Sequence, residues 1–84
     1  MTDTSQQILQ GIAHAIAGEW DQAHAIAQNH EGTADADWLH AILHKIEGDA
    51  ANSRYWYKRA NKSYETYSDA QAELAALQNV LQET

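Results

Sequence analysis

Histidine is the residue type best suited to bind a metal ion here, since five of the 84 residues are histidines and none is cysteine. His40 and His44 are four residues apart, so on a helix both rings can reach a single ion. His14 lies thirty residues before His44 and is a candidate third ligand. Imidazole nitrogens suit zinc, copper or nickel. The competing interpretation is ordinary surface or half-buried histidines, because a pair at this spacing is common in helices and no HExxH glutamate lies between them.

A second group of candidate residues is basic and aromatic. The cations are Arg54, Lys58, Arg59 and Lys62, with Tyr55, Trp56 and Tyr57 among them. Basic side chains next to stacking rings favour a phosphorylated ligand or single-stranded nucleic acid. The net charge of −7 argues against nucleic acid or an anionic membrane as a general partner, because it would repel phosphate groups. The competing interpretation is that the rings pack in the core and the cations pair with nearby acids.

Few residues suggest catalysis. The sequence contains no cysteine nucleophile, glycine-rich phosphate loop or nucleophile elbow. Asp35 and Asp37 form a carboxylate pair, but nothing in their surroundings gives a reason for a raised pKa. We therefore predict that the protein is not an enzyme and needs no cofactor.

These residues must be positioned by helices, because the chain has no proline and only four glycines. The segment ILQGIAHAIAG, residues 8–18, reappears thirty residues later as WLHAILHKIEG, residues 38–48. Self-similarity at such a period is typical of stacked helical units. Gly18 and Gly48 predict the turns that end the first helix of each copy.

Five helices are predicted in a single domain of residues 1–84. The first repeat covers about residues 5–31, the second about 35–61, and a C-terminal helix about 68–83. The predicted helix-capping residues are Thr4 with Gln7, Thr33 or Asp35, Asp49, and Ser68 with Gln71.

Two copies of helix, glycine turn and helix resemble the tetratricopeptide and Sel1-like repeats. The residues that carry the resemblance are Gly11, Gly18 and Ala23 in the first copy, Ala41, Gly48 and Ser53 in the second, and the string WYKRA at 56–60. The period is 30 rather than 34, the closing proline is missing, and His30 replaces a small residue. The resemblance implies an all-α fold of two stacked antiparallel helical hairpins that binds peptides or proteins along its first helices.

The last predicted helix carries an amphipathic seam of Leu74, Leu77 and Leu81. Solenoids generally need about three units for a stable core, and this chain has fewer. We therefore expect the seam to cover the open side of the second hairpin as a cap. If the seam is exposed instead, it is suited to a homodimer interface.

The predicted function is a small, non-catalytic protein-interaction module with a protein or peptide partner. Its predicted binding surface consists of Gln10, His14, His40, His44 and Lys45. A competing interpretation is that these residues are solvated flanks of a groove too short to bind a peptide. The alternative function is a module that binds a metal through the histidines, or an anion or nucleic acid through the basic, aromatic fourth helix. No stretch approaches the roughly 20 apolar residues of a membrane span, and the start MTDTSQQ lacks secretory-signal features. We therefore expect a cytoplasmic protein with no membrane contact.

Overall fold

The computed structural model describes residues 3–83 as five α-helices and one short 3-10 helix. The elements are α1 (Asp3–Ile16), α2 (Trp20–Asn29), α3 (Ala34–Glu47), α4 (Ala50–Ala60), the 3-10 turn (Tyr64–Thr66) and α5 (Ala70–Gln82). Two antiparallel hairpins, α1–α2 and α3–α4, confirm the predicted all-α class, and no strand occurs among these residues. Residues 1, 2 and 84 of the predicted domain lie outside this range. Within it, no helix is both long and apolar enough to cross a membrane.

Left-handed glycines end the first helix of each hairpin, as predicted. Gly18 has φ 82° and Gly48 has φ 87°. In each turn the acidic residue after the glycine donates its N–H to the carbonyl of a histidine five residues earlier, at 2.8 Å in the first hairpin and 3.0 Å in the second. This is the Schellman pattern, which satisfies late helical carbonyls while the chain reverses direction.

The helix starts agree less well with the sequence patterns. Asp49 caps α4 as predicted, accepting a backbone hydrogen bond at 3.1 Å. Thr33 precedes α3 but makes no capping bond through its side chain. The predictions for Thr4 and Ser68 were wrong. Thr4 lies inside α1, and Asp69 caps α5, because its carboxylate accepts a backbone N–H at 3.0 Å and complements the helix dipole.

Helix α3 is the centre of the molecule. Every residue from 36 to 44 is buried, and the other four α-helices all pack on it. A helix that is largely apolar around its circumference must be surrounded by other elements. Three polar residues, Asp37, His40 and His44, are therefore buried together with its apolar side chains.

Gly11 permits α1 to approach its neighbours closely. A Cβ atom at this position would lie 2.9 Å from Cδ2 of Leu39 and 3.2 Å from Cγ2 of Ile26. Such distances are shorter than ordinary carbon contacts. The small residue predicted here is therefore required where α1 meets α2 and α3.

Helix α5 lies across α1 and α3. Leu74 and Leu77 are fully buried and Leu81 is 3% exposed, so the chain covers its own seam. The predicted capping role is confirmed, but its location differs, because α5 packs on the first helix of both hairpins rather than on the open side of the second. The leucines are not available for the homodimer interface considered above.

A buried ion pair holds α5 in this position. Glu73, 1% exposed, accepts hydrogen bonds from Trp38 Nε1 at 2.7 Å, from the Tyr57 hydroxyl at 2.7 Å and from Lys45 Nζ at 2.8 Å. The Lys45 ammonium also donates to two backbone carbonyls of the segment between α4 and α5. Burial, and then the hydrogen bond to Glu73, raise the pKa of Tyr57 far above its ordinary value, so its hydroxyl remains a donor. The network joins α3, α4 and α5.

Candidate functional site

Three histidines meet on the side of α3 that faces α2 and α4. Nε2 of His24 lies 3.1 Å from Nε2 of His40. One ring nitrogen from each of His24, His40 and His44 lies within 4.8 Å of the other two. These three residues are termed the histidine cluster below.

The loop between α2 and α3 aligns the members of the cluster. His24 and His40 are each eight residues from Gly32 in the loop, and Trp20 and His44 are each twelve residues from it. In an antiparallel helical hairpin, residues at equal distances from the turn lie at similar heights along the two helices, so those on the contacting sides meet. His24 therefore meets His40, while Trp20 packs edge-on against His44 with 5.8 Å between ring centroids.

Two tryptophans enclose the histidine cluster. The Trp20 ring stacks on His24 at 4.5 Å, and the Trp56 ring stacks on His40 at 3.8 Å between centroids. Trp20 is fixed by its indole N–H, which donates to a backbone carbonyl of α3 at 2.7 Å. As a result His40 is only 2% exposed and His44 only 6%, while His24 is half-buried at the solvent edge.

Burial favours the neutral form of two members. It is the main cause that lowers the pKa of His24, with the nearby His44 second. The pKa of His40 falls to about 4, through burial first and then through His24, His44 and Arg59. Both rings are therefore neutral at pH 7, which is the form that offers a lone pair to a metal.

Glu47 sets the tautomer of His44. Its Oε1 lies 2.6 Å from Nδ1 of His44. A carboxylate can only accept, so Nδ1 carries the proton and the lone pair of neutral His44 is on Nε2. A carboxylate on the remote ring nitrogen is a common feature of histidines that bind metals.

His40 has an unpaired ring nitrogen. Its Nδ1 is buried and has no hydrogen-bond partner among residues 3–83, while Nε2 faces His24. One nitrogen is therefore unsatisfied in either tautomer, and leaving a buried polar group unpaired costs roughly 1–3 kcal/mol. An aliphatic side chain would avoid this cost. Such a costly residue in a core is typical of a functional position.

Two of the three predicted metal ligands lie together in the structure. His40 and His44 lie in the histidine cluster. His14 lies outside it, with its Nδ1 2.8 Å from Oε1 of Glu19 in the turn after α1. Equivalent residues of two repeats project in the same direction from helices roughly 8–10 Å apart, so they do not converge. His24 was missed, although its equal spacing from Gly32 is visible in the sequence.

The predicted protein-binding surface is largely buried. His40 and His44 belong to the histidine cluster, and the Lys45 side chain is only 10% exposed in its pair with Glu73. Gln10 is exposed and His14 half-buried. His40 and His44 are covered by α2 and α4, and Lys45 is covered in its pair with Glu73 of α5, so these three side chains do not form an exposed binding surface.

The predicted anion-binding residues divide into two groups. Arg54, Lys58 and Lys62 line one cleft beside the 3-10 turn. Arg59 lies outside it, with its guanidinium 5.0 Å from the Trp56 ring and a hydrogen bond to the Tyr55 hydroxyl at 3.1 Å. The core interpretation is correct for two rings of this stretch, since Trp56 and Tyr57 are buried.

A second set of ligand atoms shares His44 and adds Glu47 and Asp49. Both carboxylates are exposed, and that of Asp49 already caps α4. Exposed acids near a helix end are common without a metal. The histidine cluster is therefore the stronger candidate metal centre.

No protein-family model, curated protein or solved structure matches this chain.

Proposed function

We propose that this protein binds one divalent transition-metal ion, zinc before copper or nickel, through His24, His40 and His44. The observation that carries the proposal is the convergence of three ring nitrogens within 4.8 Å of one another in a largely buried site. The proposed function is the metal-binding alternative predicted from the sequence rather than the protein-interaction module. The third ligand is His24 rather than His14.

One of the three nitrogen–nitrogen separations already fits a tetrahedral ion. Zinc binds imidazole nitrogen at about 2.0–2.1 Å, which places two tetrahedral ligands about 3.3 Å apart. The Nε2 atoms of His24 and His40 are 3.1 Å apart. The two separations that involve His44 lie within 4.8 Å, so the His24 and His44 rings would both have to rotate towards the ion to complete the site.

The surroundings also support a metal. His24 and His40 are neutral at pH 7 because burial lowers their pKa values, so little deprotonation opposes binding. Glu47 holds the third ring in one tautomer. Trp20 and Trp56 shield the ligands from water, which strengthens the interaction with a cation.

A bound ion would connect α2 to α3 without a disulfide. The chain has no cysteine, and a domain of 84 residues buries a modest share of its surface. Metal that binds only the folded state stabilises it, by about 2.7 kcal/mol at a free concentration one hundred times the Kd. Three protein ligands leave a fourth coordination position for water or for a group from a partner.

A protein partner and a cytoplasmic location stay predictions. A partner would need a surface other than the face of α1 and α3, because α5 packs there. The absence of a catalytic role also stays a prediction, since metal binding in itself requires no reaction.

Cobalt(II) spectroscopy tests the proposal. Cobalt replaces zinc in tetrahedral sites and gives visible absorption that depends on coordination geometry. We expect saturable absorption at one equivalent of cobalt in the untagged protein, reversed by zinc. His24→Ala should abolish it, whereas His14→Ala and His30→Ala, which remove histidines outside the cluster, should not. Absence of the absorption in the unmodified protein, or its persistence in His24→Ala, contradicts the proposal.

A further inference from the structure

We propose that the cleft between α4 and the 3-10 turn binds a short oligophosphate, meaning two or three linked phosphate groups. The cleft has a volume of about 320 Å³. It is separate from the histidine cluster, so this site does not depend on metal binding. The residues lining it are Arg54, Tyr57, Lys58, Asn61, Lys62, Ser63, Tyr64 and Glu65.

The path of the backbone brings three cations to this cleft. Arg54 and Lys58 are one turn apart on α4 and share a face. Asn61 then adopts a left-handed conformation, with φ 59°, which ends the helix and turns the chain back. Lys62 and the residues after it therefore form the opposite wall. Cations on both walls of a cleft of about 320 Å³ can each contact a different phosphate group, which favours a chain of two or three.

Two of the cations are not neutralised by an acid. Lys58 and Lys62 form no ion pair within the described range 3–83, and the Lys62 ammonium lies 4.4 Å from the Trp38 ring centroid. The cleft walls also provide an amide at Asn61 and a hydroxyl at Ser63, both of which can donate to phosphate oxygens.

The third cation has a partner that a phosphate could displace. Arg54 pairs with Glu65 at 2.5 Å, but the two side chains are 54% and 63% exposed, and exposed pairs contribute little to stability. The Arg54 guanidinium also lies 4.3 Å from the Tyr64 ring, which keeps it at the wall of the cleft. An oligophosphate carries more charge than one carboxylate, so it should compete successfully for Arg54.

The charge distribution favours a compact ligand over a long one. All five basic residues lie between 45 and 62, within a chain of net charge −7. The positive potential is therefore local, and a nucleic acid extending beyond the cleft would meet acidic surface. A short oligophosphate would lie within the positive region.

The test uses the full, metal-free chain in EDTA, so that chelation of metal by the ligand plays no part. Tripolyphosphate, pyrophosphate, inorganic phosphate and a short single-stranded oligonucleotide are each titrated at low salt while amide NMR shifts are followed. We expect saturable shifts at the cleft, with phosphate at least tenfold weaker than tripolyphosphate and the oligonucleotide weaker still. No saturation with tripolyphosphate overturns the site, and tighter binding of the oligonucleotide overturns the ligand class.

Matched variants show whether binding is specific. Lys58→Gln should weaken tripolyphosphate binding at least tenfold, and Glu65→Gln should tighten it severalfold by freeing Arg54. Arg59→Gln is the control, since it removes one positive charge from α4 outside the cleft and should change the Kd by less than twofold. An equal loss in Lys58→Gln and Arg59→Gln would show general charge attraction and overturn the proposal.

Discussion

His40 is the side chain least well explained by packing. It stacks on Trp56 at 3.8 Å between centroids, but its buried Nδ1 has no partner among the described residues. Aromatic stacking contributes about 0.5–1.5 kcal/mol, whereas an unpaired buried nitrogen costs about 1–3 kcal/mol. Histidine therefore gives the core no net advantage here, which supports a role in binding.

Replacing His40 by leucine separates function from stability. We expect His40→Leu, measured without metal, to be as stable as the unmodified protein or about 1 kcal/mol more stable, because the unpaired nitrogen is removed. Its melting temperature should no longer rise with zinc. The matched control His14→Leu should keep the zinc response. A loss of several kcal/mol in metal-free His40→Leu would assign His40 to structure instead.

The pH dependence of the metal-free protein should also reveal His40. Its pKa is about 4 in the folded protein against 6.5 ordinarily, so the unfolded chain takes up the proton first. The part of the unfolding free energy that depends on His40 being neutral is therefore fully present above pH 6.5 and is lost as the pH falls towards 4. The free energy of unfolding should fall by about 3 kcal/mol over this range because of His40. The lowered pKa of His24 causes a further decrease in the same direction.

Urea unfolding between pH 7 and pH 4 measures this effect. The titratable or charged groups facing His40 are His24 on α2, His44 on α3 and Arg59 on α4, and each lowers the pKa of His40. Carboxylates titrate over part of the same range, so the informative quantity is the difference from His40→Leu, which should lose less stability. Identical pH profiles for the two proteins would contradict the lowered pKa.

The sequence indicated two members of the histidine cluster, His40 and His44, but not the third, His24. Helical spacing alone brings His40 and His44 together, because they belong to one helix. The third ligand depends on which helices are neighbours, and the repeat pointed to His14 on the equivalent helix. His24 comes instead from the helix across the loop, where hairpin symmetry about Gly32 places it.

Among the helices, α5 depends most on a single polar contact. Lys45 and Glu73 are 2.8 Å apart, with side chains only 10% and 1% exposed. Removing one partner of a buried pair leaves the other charge without compensation, which typically costs about 3–5 kcal/mol. If Lys45 is replaced, the buried charge left without compensation is the Glu73 carboxylate.

The two partners should therefore respond differently to substitution. Lys45→Met leaves a buried carboxylate and should cost about 3–5 kcal/mol, with amide exchange accelerated in α5. Glu73→Gln keeps an acceptor for Trp38 and Tyr57 and leaves Lys45 bonded to two carbonyls, so it should cost less. Urea unfolding gives both values. A larger loss in Glu73→Gln would contradict the importance of the buried carboxylate.

Most helices could be predicted from local signals, whereas the location of α5 could not. Periodic apolar residues and left-handed glycines act within a few residues, so α1 to α4 end near the expected positions. The docking of α5 depends on the pair of Lys45 and Glu73, which are 28 residues apart in sequence. Each of these residue types alone predicts an exposed position, so the sequence does not indicate that they are buried together.

The whole molecule is organised around α3, which connects two distinct regions. One side of α3 carries the histidine cluster between α2 and α4, and the other side receives α5. The chain is acidic overall, with its positive charge confined to residues 45–62. A metal cation is attracted by the net charge, whereas an anion is attracted only to the basic region.

Calorimetric titration of zinc into the untagged protein tests the central claim most directly. We expect a single site with one zinc per chain and a Kd in the micromolar range or below. His24→Ala should abolish the heat of binding, while His14→Ala should leave stoichiometry and affinity unchanged. Absence of binding to the unmodified protein, or equal effects of the two substitutions, would contradict a metal centre formed by His24, His40 and His44.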